Sequence, residues 1–193
     1  MKIITISREY GAGGHSIGKA VAQRLGIEFY DRDIIRNTVK EGGFDPALVE
    51  DEEEILTRSE SILRALSPAS YNEKDVLFDV QSKVVLELAK KGPCVILGRC
   101  ADAVLKDSDL EVLDVFIYAD EIHRALRVGE LLDTKNASEI QKAMRKVDHA
   151  RKTYYHYYTG RTWGDCHNYS LSIDSGMFGY ETCVDLICKA AES

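Results

Sequence analysis

Thr5-Ile6-Ser7-Arg8-Glu9-Tyr10-Gly11-Ala12-Gly13-Gly14-His15-Ser16-Ile17-Gly18-Lys19 decides how the rest of the chain is read. The apolar run Ile3, Ile4, Ile6 has strand length and ends at Ser7. Beyond the glycines, Ile17, Val21 and Leu25 recur at helical spacing and stop at Gly26. A strand, a glycine-dense loop and a helix, in that order, present backbone N–H groups and a helix N-terminus to an anion, above all a phosphate. The phosphate-loop pattern GxxxxGK[ST] fits in two frames. In the first, Arg8 holds the first glycine's place, Gly13 the second, Gly14 the lysine's, and Ser16, one residue beyond the pattern's Ser/Thr position at His15, supplies the hydroxyl. In the second, Gly13 and Gly18-Lys19 restore glycine and lysine, but Ala20 replaces the hydroxyl and the loop starts six residues after the strand. The distance from the strand favours the first frame. A tight glycine turn with no ligand is the plainer alternative.

The 193 residues are enough for one well-packed domain. A net charge of −7 argues against a general nucleic-acid binder, because no long basic face offsets it. No apolar run approaches the roughly 18 residues of a membrane span. Met1 to Thr5 runs straight into the first strand, so the expectation is a cytoplasmic protein without a signal peptide. Five cysteines, odd in number and with no CxxC pair, read as reduced thiols rather than disulfides or structural zinc. The five histidines have no zinc-ligand spacing with them.

Further along, Ile27–Tyr30 reads as a second strand, and Asp31-Arg32-Asp33 opens a helix to about Lys40 with acidic residues at its positive end. Residues 50–54 are a charge run, expected as a solvated helix face. Asn72 to Lys91 reads as a helix with Val76, Val80, Val84 and Leu88 one turn apart, stopped by Gly92-Pro93. Cys94–Leu97 and Val112–Tyr118 are continuous apolar runs, as expected for parallel strands covered on both faces. Helices follow from Asp120 to Leu132 and from Ser138 to about Tyr158, the latter capped by Asn136 or Ser138. Tyr169–Asp174 is a last strand and Tyr180–Ala191 a closing helix. This alternation gives an α/β, three-layer domain on a five-stranded parallel sheet. Residues 41–91 depart from it, either as a cap over the strand ends or as ordinary helical packing.

Charged residues stand at successive strand ends: Arg8, Asp31, Arg99 and Asp120. Open α/β sheets place ligands at that edge, although Asp also favours such positions as a cap. Arginine's planar fork suits phosphate. Arg145, Asp148 and Arg151 fall at i, i+3 and i+6 in the long late helix, as a salt-bridged surface or as a lid over phosphates. Tyr154 to Gly164 is aromatic and polar enough to flank a nucleobase, close a lid or anchor a subunit interface.

Ser7–Gly14, Phe29-Tyr30-Asp31, Gly98–Asp102, Lys146-Val147-Asp148 with Arg151 and Tyr154-Tyr155, and Tyr157–Gly160 with Trp163-Gly164 resemble the cytidylate-kinase-like family. That family belongs to the P-loop nucleoside monophosphate kinases, and the blocks occur in its order from Ile3 to about Leu186. The resemblance implies one P-loop NTPase-type kinase domain over residues 1–193, with an acceptor-binding helical insertion at 41–91 and a lid region at 136–164. It implies ATP-dependent phosphoryl transfer to a nucleoside monophosphate, with CMP or dCMP as the expected acceptor and Mg²⁺ as cofactor.

Carried over by position, Gly11, Ala12, Gly13, Gly14, His15 and Ser16 hold the triphosphate, and Ser16 ligates Mg²⁺. Arg124 and Arg127 resemble lid-helix arginines, both in a less certain register. Asp31, Arg99 and Asp148 contact the acceptor. Arg8, Arg145 and Arg151 are the cations of transfer. The departure is the absent lysine, which Arg8 or Lys19 must replace, with Arg8 nearer the loop's mouth. Partners are then small-molecule nucleotides, with no nucleic acid and no membrane, in a monomer or homodimer. A nucleotide-binding sensor without turnover is the alternative.

Overall fold

The structure is a computed structural model that describes residues 2–34 and 73–193. Its centre is β1 (Ile3–Arg8), buried along its length except at Arg8. β1 pairs in parallel with β3 (Cys94–Leu97) on one side and β4 (Val112–Tyr118) on the other. β2 (Glu28–Tyr30) adds to β3 and β5 (Leu171–Asp174) to β4, giving the order β2-β3-β1-β4-β5 with every pairing parallel. All five strands therefore end on one edge, and β1 delivers the glycine loop to its middle.

The continuous apolar strands are explained by helices on both faces. Ile4 and Ile6 point toward α1 (Gly14–Leu25) and α6 (Ser175–Glu192), packing with Ile17, Val21, Val184 and Ile187. Ile3 and Ile96 point the other way, onto α2 (Glu73–Lys90), through Leu77, Val84, Val85 and Leu88. Each such side chain removed from water contributes about 1.5–3 kcal/mol, so a polar residue facing either layer would be costly. The buried stripe of α2 runs through Leu77, Gln81, Val84, Val85, Leu88 and Ala89, while Val80 is only partly buried. Of the Val76-Val80-Val84-Leu88 reading, Val84 and Leu88 fall on that stripe and Val80 at its margin.

Within the 41–91 excursion that packing agrees with the ordinary helical alternative for its second part. That part is α2, a core helix bridging β2 and β3. Residues 41–72, with the acidic run at 50–54, lie outside the described residues, as does the helix call beyond Ile34.

α3 (Ala101–Val104) is a single turn after β3. α4 (Glu121–Leu132) is capped by Asp120, which accepts from the Ile122 and His123 backbone. α5 (Ala137–Thr159) is capped by Asn136 rather than Ser138. Gly179 (φ 74°, ψ 163°) interrupts α6, so its regular part begins at Tyr180, where the sequence placed the start. Tyr169, read as the start of the last strand, precedes β5, and its ring is buried against Phe116.

The aromatic segment after α5 joins this core. Tyr154, Tyr155 and Trp163 are buried with Phe116, Tyr169 and Cys100. The Tyr155 hydroxyl donates to buried Asp102 at 2.6 Å, and Arg161 stands 3.8 Å from the same carboxylate. Most of that segment's aromatic content therefore fills a core, which rules out those rings as a nucleobase platform. Among the described residues, no helix is long and apolar enough to cross a membrane.

Candidate phosphate-binding site

The glycine loop leaves β1 and is pinned from three sides. Glu9 N–H donates to the Ile117 carbonyl at 3.0 Å, and Ala12 N–H to the Glu9 carbonyl at 3.2 Å. The Ser175 hydroxyl donates to the Ala12 carbonyl at 2.7 Å. Gly11 lies against α4, where a Cβ would stand 2.6 Å from the Arg124 carbonyl oxygen. Gly13 carries a left-handed φ of 77° and lies under the Tyr180 ring, which a Cβ would overlap. A glycine is needed there for both reasons.

Gly13 is also the N-cap of α1. It has no side chain to cap the helix, and the first turn has no acidic residue. Asp120, Asn136 and Asp174 do cap α4, α5 and α6. The N-terminal N–H groups of α1 thus face the cleft with the positive end of the helix behind them, an arrangement suited to an anion.

The cleft, about 310 Å³, is lined by Arg8, Gly11, Gly13, Gly14, His15, Ser16 and Asp31, and by Arg127 and Arg151. Arg8, Asp31 and Arg151, read from separate segments, are brought together there with the loop. Asp31 is also the turn former its type suggested, since it accepts from the Asp33 and Ile34 backbone at 3.0 and 3.1 Å. His15 stands 3.3 Å from its other oxygen and edge-on to Phe29. Arg151 donates from Nη1 to the Arg8 carbonyl at 3.0 Å and lies over the Tyr10 ring.

Several readings are corrected. Arg124 is buried and does not line this cleft. Its guanidinium bonds the Tyr10 carbonyl at 2.8 Å and Glu9 Oε2 at 2.9 Å, and pairs with Asp148. Asp148 in turn accepts from Tyr10 N–H at 2.8 Å, so both clamp the loop's entry. Arg127, one turn after Arg124, is the α4 arginine in the cleft. Arg145 is exposed and lines a separate groove together with Arg124, Asp148, Lys142 and Lys146. At about 100° per residue, i and i+6 on a helix stand about 120° apart, so Arg145 and Arg151 have different faces. Ala12 packs into the core instead of lining the cleft.

Arg99 is buried, with Gly98, Arg99 and Cys100 all at left-handed φ, and it does not line this cleft. Lys19 is exposed on the outer side of α1, in a depression shared with Gln23 and Glu28. Asp165, Cys166 and His167 lie within 4.8 Å of one another, but they are consecutive and exposed, and we assign them no metal.

What sequence reasoning missed is the clamp and the place of Tyr180. Glu9 and Arg124 are too far apart in sequence to be paired by spacing, and Tyr180 reads as an ordinary helix start.

A glycine loop between β1 and α1, on the strand-end edge of a parallel five-stranded sheet, defines a kinase-type P-loop fold. Solved structures agree. The chain is similar to an uncharacterized protein from Eubacterium ventriosum at 25% identity and a TM-score of 0.76, over 100% of this chain and 99% of that one. It shares its fold with shikimate kinase from Acinetobacter baumannii in complex with shikimate, at 17% identity and a TM-score of 0.53 over 98% and 92% of the two chains. A gluconokinase from Sinorhizobium meliloti gives 14% and 0.53, over 99% and 94%. A search of curated proteins finds no match. The chain belongs to the cytidylate kinase-like family, which matches residues 3–177.

Proposed function

We propose that this protein is an ATP-dependent kinase of nucleoside monophosphates, with CMP or dCMP as the acceptor. The observation that carries the reading is the uncapped N-terminus of α1 behind Gly11–Ser16, in one cleft with Arg8, Arg127 and Arg151. In the transfer, an oxygen of the acceptor phosphate bonds to the γ-phosphorus, and the bond from that phosphorus to the β,γ-bridging oxygen breaks, leaving ADP. The acceptor oxygen is already anionic, so positioning and positive charge matter more than a general base. The α1 N–H groups hold the β-phosphate, and Arg127 and Arg151 neutralise the transferring group. The donor set suits Mg²⁺ as well: the Ser16 hydroxyl is exposed in the cleft and would ligate it, adding further charge neutralisation when bound. Asp31 stands on the acceptor side. The 41–91 segment is the acceptor-binding insertion, α5 serves as the lid, and the protein acts in the cytoplasm as a monomer or homodimer.

Gly14 in the lysine's place favours a second reading, a nucleotide-binding protein without turnover. A panel of ATP and Mg²⁺ with CMP, dCMP, UMP, AMP, GMP, shikimate or gluconate, followed by ADP release, separates the two. Turnover with CMP or dCMP well above that with AMP supports the kinase. Saturable ATP binding with no turnover on any acceptor supports the sensor, and turnover confined to a hydroxy acid overturns the nucleotide acceptor.

A further inference from the structure

We propose that the cation and the first glycine of the phosphate loop have exchanged places, so that Arg8, from the end of β1, is the residue that contacts the terminal phosphates of the donor. This inference rests on the kinase reading above.

The exchange is visible in the packing. Side chains alternate along a strand, so Arg8 leaves β1 on the same face as Ile4 and Ile6, the face covered by α1. It therefore runs beneath Gly14, the first residue of α1. A Cβ on residue 14 would stand 2.6 Å from the Cβ of Arg8 and 2.7 Å from its Cγ. The Cβ is set by the backbone and cannot swing aside, and its approach is closer than carbon atoms tolerate. A side chain at position 8 thus excludes one at position 14. The usual pattern resolves this with glycine at 8 and lysine at 14. This chain resolves it with Arg8 and Gly14.

The cation still reaches the cleft. Arg8 lines it beside Gly11, Gly13 and Ser16, and its Nη1 lies 2.6 Å from where a Cβ of Gly98 would be, at the end of β3. Gly98 has a left-handed φ of 76° and no side chain, so the guanidinium packs on its Cα. The charge consequently enters from the strand side, between the donor loop and the end of β3. Its backbone is held by Arg151 through the Arg8 carbonyl. A guanidinium offers two parallel N–H groups to phosphate oxygens, where an ammonium offers a point charge.

The test compares the wild type with Arg8→Gly, Gly14→Lys and the double substitution. Affinities for ATP, AMP and inorganic tripolyphosphate, turnover, and a thermal melt would be measured for each. Arg8→Gly is expected to fold, to lose 10-fold or more in affinity for ATP and tripolyphosphate relative to AMP, and to lose turnover. Gly14→Lys alone is expected to melt lower and to bind poorly, because the two side chains collide. The double substitution is expected to recover ATP affinity and any turnover to within 10-fold of the wild type. A folded double variant no better than Arg8→Gly overturns the exchange, as does an Arg8→Gly protein that binds ATP like the wild type. A wild type that binds ATP without turnover refutes the kinase while leaving the exchange to be judged on affinities. One that binds neither ATP nor tripolyphosphate refutes both.

Discussion

Arg124→Leu should weaken the whole fold, because one guanidinium serves two carboxylates and a carbonyl at the entry to the glycine loop. Leucine keeps most of the buried aliphatic volume and removes the charge. Removing one member of a buried ion pair typically costs about 3–5 kcal/mol, since the remaining charge is left without its partner. Two features lower that figure here. The Glu9 side chain keeps 24% of its exposure, and Asp148, at 13%, keeps its bond from Tyr10 N–H. A loss of about 2–3 kcal/mol follows, or roughly 5–10 °C in Tm for a chain of this size. Urea denaturation would show a lower midpoint with unchanged slope. Arg145→Leu, on the exposed groove, should stay within about 0.5 kcal/mol of the wild type. On an Asp148→Asn background the amide oxygen still accepts from Tyr10 N–H, so that Arg124→Leu leaves one carboxylate, Glu9, without its partner instead of two. Arg124→Leu should then be milder by about 1–2 kcal/mol. An Arg124→Leu protein as stable as Arg145→Leu would refute the clamp.

Two further predictions concern buried groups. Burial, with Asp102 nearby, pushes the Asp114 carboxyl up to about 6, against the hydrogen bond it accepts from Thr5 at 2.6 Å. Its folded value exceeds its unfolded one, so its ionisation reduces stability as pH rises from about 4 to about 6 and holds it reduced above. Asp114→Asn, which keeps an acceptor for Thr5, should therefore stabilise at pH 7.5 by about 1–3 kcal/mol and much less at pH 4.5. Equal gains in urea denaturation at the two pH values would refute this. Cys166 is exposed, while Cys94, Cys100, Cys183 and Cys188 are buried and burial pushes the Cys94 thiol up to about 11. A chromogenic disulfide reagent should titrate one fast thiol in the native protein and five in denaturant, and several fast native thiols would contradict the packing.

The sequence alone determined the sheet, the order of its elements and the place of the loop. Those are local and periodic properties: apolar runs of strand length, helical spacing, and Gly26, Asp120, Asn136 and Gly160 at helix ends. It also marked Arg8 and Asp31 for one edge, because strand ends share an edge whenever the strands are parallel, and Arg151 as a cation of the helix that packs beside it. Tertiary structure alone decided which α4 arginine enters the cleft. Arg124 and Arg127 are separated by one turn, and it is the positions of Glu9 and Asp148 that hold Arg124 at the loop's entry while Arg127 lines the cleft. It likewise decided that the Tyr-rich segment is core, since burial depends on what lies opposite a ring. The meaning of Gly14 was tertiary too: a missing side chain reads as a defect until Arg8 is seen occupying its space.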